Sequence, residues 1–303
     1  FYHNRTIKEE GLYVNGKKEG EWKYYQNNGI LEDRSMFKND SANGMTYSYD
    51  ANGKLRNYGL YKNNKLTGRW VILYEGTTDT EMIKNYSDGN LHGYYCSRTP
   101  GSQIVFVEGN FYKGKKIGTW YEWWPNRYDT TEVREYLDSA ESRMHVRQYD
   151  SVSHFLITEY STANGLVEGK HISYYNDKRK QIESVCDYKA GKVDGICIFY
   201  DEKGKVLYTQ QYSECNEYGA QTKYYRYPDK IKSIETIIGE VFHGPVKYYR
   251  PNGQLELEGM YNQNERTCVW KHYDVNGKLE YTEDYSDGKN GEIIPYHNGK
   301  PVR

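Results

Sequence analysis

The sequence predicts an all-β fold, an elongated single-layer twisted antiparallel meander of about twelve β-hairpin repeats. Three observations carry this. First, glycine, or a residue standing in for it, recurs in steps of 23 to 26 residues at Gly20, Gly44, Gly68, Gly93, Gly118, Gly169, Gly195, Gly219, Gly244, Cys268 and Gly291. Second, aromatic residues keep fixed offsets from these anchors, and nothing sustains a helical period. Third, Asn-Gly dipeptides return at turn spacing. One interval, Gly118 to Gly169, spans two steps; its midpoint near Arg143 lies seven residues after Tyr136, where an eroded anchor belongs.

Within each repeat the elements follow in order. An aromatic residue sits seven before the anchor (Tyr13, Phe37, Tyr61, Tyr86, Phe111, Tyr136, Tyr188, Tyr212, Tyr261) and marks the first strand. The anchor is read as opening the second strand, which carries a tyrosine five residues later, as at Tyr25, Tyr49, Tyr200 and Tyr273. Asn28-Gly29, Asn52-Gly53, Asn252-Gly253 and Asn276-Gly277 then read as type I′ turns, because both central positions tolerate positive φ. In the strand beyond, Leu55, Asn57, Gly59 and Tyr61 alternate in steps of two and share a face.

If the first two strands pair symmetrically, the residue two after the anchor faces the residue nine before it. Trp22 then faces Gly11, Trp70 faces Gly59, Trp120 faces Gly109 and Trp270 faces Gly259, which accounts for four of the six tryptophans. An indole laid across a strand glycine covers backbone that would otherwise be bare. The same register sets Cys186 opposite Cys197, close enough for a disulfide, with a pair of buried thiols as the alternative.

A repeat that runs throughout argues for one array over residues 1–303, with a degenerate unit at about 126–160. A mean hydropathy of -1.00 beside 35 tyrosines means that tyrosine supplies much of the packing, ring against apolar neighbours and hydroxyl in water. The formal net charge of -1 and the lack of a Lys/Arg block argue against nucleic acid. No apolar run approaches the length of a membrane helix. The start at Phe1, not methionine, leads us to expect a trimmed N-terminus, with a signal or lipid anchor removed as one route to it.

With Gly20, Trp22, Tyr24, Tyr25, Asn28, Gly29 and Leu31, and again Gly244, Tyr248, Tyr249, Asn252, Gly253 and Leu255, the units resemble the MORN repeat, and more closely its longer bacterial variant. The resemblance implies a meandering hairpin fold and a non-catalytic interaction or scaffold role. It also carries the antitoxin-like label often given to bacterial members. Lipid association and dimerisation are read in eukaryotic members; the missing basic patch argues against lipid here.

No catalytic residue, metal site or cofactor is expected. His92 and His243 precede anchors, and His145 and His171 occupy the tryptophan slot, so repeat position accounts for them. Cys96, Cys215 and Cys268 are isolated in sequence. Two segments depart from the pattern. Trp120, Tyr121, Trp123 and Trp124, just before Pro125, crowd one strand end and are the candidate binding residues; a brace for the adjacent eroded unit is the other reading. Tyr128 to Tyr160 loses the glycines, with Asp138-Ser139-Ala140-Glu141 as a loop tip suited to binding or to drift.

The expected function is therefore an extended surface presented to a protein partner, as a subunit of a larger assembly. A cell-surface glycan-binding module using the same tryptophans is the alternative, and an antitoxin-like binder or a glycosidase-like enzyme stands further out. Composition and the Cys186/Cys197 pair point to a bacterial cell envelope or surface, with cytoplasm as the alternative.

Overall fold

The structure, a computed structural model, describes residues 1–303 apart from 125–129, 139, 214–215, 227–229, 287–290, 298–299 and 303, and apart from the side chains of 216–218. Cys215, Pro125, Tyr128 and Ser139 thus lie outside the described residues. Among the described residues every regular element is a strand. The chain divides into two compact units, Phe1–His154 and Phe155–Arg303. In each, the chain runs as an antiparallel meander of successively paired strands; the short strand Asn90–Leu91 and the following Gly93–Arg98 both pair with Thr80–Ser87.

The turns exchange the roles that the sequence suggested. Strand Glu9–Val14 is joined to Lys17–Tyr25 through Asn15 (φ 50°) and Gly16 (φ 77°), so the two-residue type I′ turn lies here. Asn63-Asn64, Lys113-Gly114 and Gln263-Asn264 likewise have positive φ at both positions. At Asn28-Gly29 only Gly29 is left-handed (φ 84°). There the Gly29 N–H donates to the Gln26 carbonyl (2.9 Å), the Gln26 N–H to the Ile30 carbonyl (2.8 Å), and the Asn28 side-chain oxygen accepts from the Ile30 N–H (3.0 Å). This is a longer loop closed by a glycine, so asparagine serves as a side-chain acceptor and not as a positive-φ residue.

The anchor glycines sit inside strands, where they make a bulge. Leu12 pairs with Glu19 and Gly11 with Trp22, which leaves Gly20 and Glu21 unpaired on that side; on the other side Gly20 pairs with Phe37 and Glu21 with Met36 in unbroken register. The same two-residue slip recurs in the hairpins holding Gly44, Gly68, Gly118, Gly169, Gly195, Gly219, Gly244 and Cys268. Every one of these anchors has positive φ, including Cys268 at 60°. A bulge residue in this conformation favours glycine because a Cβ would crowd the backbone. The eroded hairpin supplies the converse: Glu132–Tyr136 pairs with Met144–Gln148 without a slip, and no glycine is present there.

Candidate protein-interaction surface

Direct cross-strand partners share a face, so the pairings trace rows across each unit. In the first unit one row runs Gly11, Trp22, Ser35, Thr46 and Gly59. In the second a row runs Tyr160, His171, Cys186, Cys197 and Gln210. A Cβ on Gly11, Gly59, Gly109 or Gly259 would lie within 2.1 to 2.3 Å of Trp22, Trp70, Trp120 or Trp270 respectively, so each indole lies against glycine backbone. A neighbouring ring meets each indole edge-on: Tyr13 on Trp22 (4.7 Å), Tyr61 on Trp70 (5.9 Å), Phe111 on Trp120 (5.0 Å) and Tyr261 on Trp270 (5.0 Å). The indole N–H of Trp22 donates to the Leu12 carbonyl at 3.1 Å, and that of Trp120 to the Asn110 carbonyl at 3.2 Å.

Trp120 is only 4% exposed. Its ring is spent on Gly109 and Phe111, so among the four candidate binding residues it is the one with no surface to offer. Tyr121 points to the other face, 40% exposed, and stacks on Trp123 with centroids 5.6 Å apart. Trp124 follows at 38% exposure. Trp123 borders a cleft of about 440 Å³ with Ser102, Gln103, Ile104, Val105 and Glu108. The structure thus brings Tyr121 and Trp123 together and parts both from Trp120.

A second feature on that opposite face is absent from the sequence reading. Leu12, Met36, Leu60 and Met260 all lie eight residues before an anchor, and all four are exposed, from 37% to 61%. Met36 pairs with Glu21, Leu60 with Met45 and Met260 with Pro245, so these apolar side chains stand where the bulge passes from strand to strand. The signal was in the sequence: three of them directly follow the glycine that the indole covers (Gly11-Leu12, Gly59-Leu60, Gly259-Met260). Strand alternation sends the next residue to the other face, into water.

The titratable groups are placed by the repeat. His171 lies between Tyr160 (5.3 Å) and Tyr188 (5.3 Å), with Nε2 3.1 Å from the Thr158 hydroxyl, and burial pulls its pKa below the usual histidine value. His92 packs against Tyr112 at 5.1 Å. Asp50 and Asp274, in the longer loops, accept from the backbone N–H of Lys54 (2.9 Å) and Lys278 (2.8 Å), which holds both carboxyls below their ordinary range. Cys186 and Cys197 are joined as a disulfide with Cα atoms 4.0 Å apart. Cys96 is buried as a free thiol and Cys268 is exposed. Among the described residues no group of three or more His, Cys, Asp or Glu side chains is placed to hold a metal, and no helix is long and apolar enough to cross a membrane.

The profile of the MORN repeat variant matches residues 18–39, 42–63, 193–214 and 242–263. Each matched segment begins two residues before an anchor glycine: Gly20, Gly44, Gly195 and Gly244. No curated protein matches the chain. Solved structures that match include the crystal structure of TcdB2-TccC3-Cdc42, at 11% identity over 95% of this chain with a TM-score of 0.21. The crystal structure of TcdB2-TccC3-TEV matches at 12% identity over 90% of this chain with a TM-score of 0.20. The chain spans 19% and 17% of the length of those chains, and at such TM-scores the likeness carries no argument.

Proposed function

We propose that this MORN-variant repeat protein is a non-catalytic scaffold whose repeats act as one array, presenting a sheet face to a protein partner within a larger assembly. The observation that carries the reading is the exposure of large apolar side chains at one repeat position, Leu12, Met36 and Leu60, on the face away from the packed indoles. Isolated exposed apolar residues are ordinary on protein surfaces, but apolar exposure that recurs with the repeat is a patterned surface of the kind used for association. Tyr121, Trp123 and Trp124 add amphipathic aromatic area at the end of strand Lys115–Trp123, the residue types that dominate interface energetics. The disulfide between Cys186 and Cys197 favours an oxidising setting such as a bacterial envelope or surface.

The test is co-purification from native cells. A stable protein complex that is lost on Met36→Glu with Leu60→Glu, or on Tyr121→Ala with Trp123→Ala, in chains that still fold, supports the scaffold. Retention of the isolated chain on immobilised glycans with no protein complex in any preparation would overturn it in favour of a glycan-binding module.

A further inference from the structure

In three of the four copies with an indole, the residue two before the anchor is a cation lying on that ring. Lys18 Nζ is 4.0 Å from the Trp22 ring centre, Lys116 Nζ is 4.4 Å from Trp120, and the Arg266 guanidinium is 4.2 Å from Trp270. Each also reaches the aromatic of the next repeat: Phe37 at 5.7 Å, Tyr136 at 5.8 Å and Tyr285 at 5.8 Å. The repeat therefore builds a cation seat between successive aromatic residues and fills it with its own side chain.

The copy anchored at Gly44 keeps the aromatic residues and removes the filling. The cation position is Ala42, paired with Phe37, and the tryptophan slot is Thr46, facing Ser35. Both truncations fall in the same place, and a cleft of about 720 Å³ opens there. Phe37 and Tyr61 stand at one side, Tyr24 and Tyr49 at the other, over a floor of Ser35 and Thr46. Its lining contains two carboxylates, Glu32 and Asp33, and no lysine, arginine or histidine. Asp33 accepts from the Ser35 hydroxyl with one oxygen and from the Ser48 hydroxyl (3.0 Å) with the other. Those two bonds leave lone pairs on each carboxylate oxygen. Lys18, which donates to the Tyr24 hydroxyl at 3.0 Å, is already engaged with Glu9 at 3.0 Å.

We propose that this cleft receives a lysine or arginine side chain from a protein partner, the cation that neighbouring repeats supply for themselves. Aromatic walls, a carboxylate with free lone pairs and a lining without positive charge match an organic cation in shape and sign. The proposal rests on the scaffold reading and adds the partner's chemistry to it.

Methyl NMR of Ala42 and Thr46 during titration with Nα-acetyl-lysine methylamide and Nα-acetyl-arginine methylamide tests the cleft directly. Saturable shifts are expected, with a dissociation constant on the order of 1 mM for so small a probe. Asp33→Asn should weaken binding by about tenfold, as loss of one charge-assisted contact does. Ala42→Lys, which restores the Lys18 arrangement from within, should abolish it and still fold. Equal binding of Nε-acetylated lysine or of a neutral methyl glycoside overturns the cation preference, as does unchanged cation binding by Ala42→Lys. Lysine-containing peptides should bind more tightly than free alkylamines; equal affinity would point to a small-molecule cation and overturn the partner assignment. A co-purifying protein still retained by Ala42→Lys overturns the cleft's role and leaves the scaffold standing. Failure of wild-type chain to capture any protein would remove the scaffold reading, while the small-cation titration still decides what the cleft itself prefers.

Discussion

A Cβ placed on Gly259 would lie 2.2 Å from Cδ2 of Trp270, so the indole rests directly on bare backbone. The next nearest atoms are Cε2 and Cγ, at 2.4 and 2.6 Å, so the clash falls at the root of the ring, where rotation gives little relief. Gly259→Ala should therefore destabilise by about 1–3 kcal/mol through overpacking. Trp270→Ala should cost about 3–5 kcal/mol by emptying a buried site. The double variant should lose clearly less than the sum, because the new methyl no longer meets a ring. Urea unfolding of the four proteins checks this, and strict additivity would mean that the contact is not what holds the pair.

Cys268 occupies an anchor position at φ 60°, where the other bulges use glycine. A left-handed non-glycine residue costs about 1–2 kcal/mol, while glycine loosens the unfolded chain by about 0.4–1 kcal/mol. Cys268→Gly should therefore stabilise by up to about 1 kcal/mol, and Gly20→Ala at the equivalent bulge should destabilise. Denaturation midpoints of the two variants decide it; loss of stability in Cys268→Gly would show that the side chain contributes more than the backbone strain removes.

The spacing that places Trp22 over Gly11 was legible because an indole and a strand glycine are each unusual and their offset is constant. The bulge was not. A symmetric hairpin about Asn15-Gly16 would pair Leu12 with Glu19 and carry that register on; the slip at Gly20 shifts it by two, and only beyond the slip does Gly11 meet Trp22. A bulge adds residues to one strand without changing the repeat length, so a count of spacings cannot reveal it. Positive φ at Gly20 was equally hidden, since glycine occurs both in turns and in bulges. At the candidate surface, aromatic crowding drew Trp120 and Tyr121 into one group, but alternation along the strand sends them to opposite faces, one buried and one in water. The cleft at Ala42 is hidden in the sequence because its signal is the smallness of two residues, Ala42 and Thr46, visible only against the larger ones in sister repeats.

Cys186 and Cys197 are cross-strand partners joined over a separation of 11 residues. Closing a loop of this size restricts the unfolded chain by about 3 kcal/mol. Reduction, or the paired change Cys186→Ser with Cys197→Ser, should lower the stability of the Phe155–Arg303 unit, which holds the bond, by about that amount. Mass spectrometry of unreduced protein checks the bond itself; two free thiols there would remove both the bond and the compartment argument built on it.

His171 stands beside this disulfide, opposite Cys186, with its ring between those of Tyr160 and Tyr188. Burial opposes its protonation, so its pKa in the folded protein lies below the ordinary 6.5. Between the two values the unfolded chain binds more protons than the folded one, and stability therefore rises with pH across that window. The contribution is fully present above about pH 6.5 and is lost as pH falls towards the lower, folded value. His171→Phe keeps an aromatic ring in the stack and has no proton to bind. The Thr158 hydroxyl, which also donates to the Ile172 carbonyl at 3.0 Å, retains a partner in that variant. Urea midpoints measured from pH 8 to pH 5 should fall more steeply on acidification for the wild type than for His171→Phe. Parallel curves would show that the imidazole gains as much from its neighbours when protonated as it loses by burial.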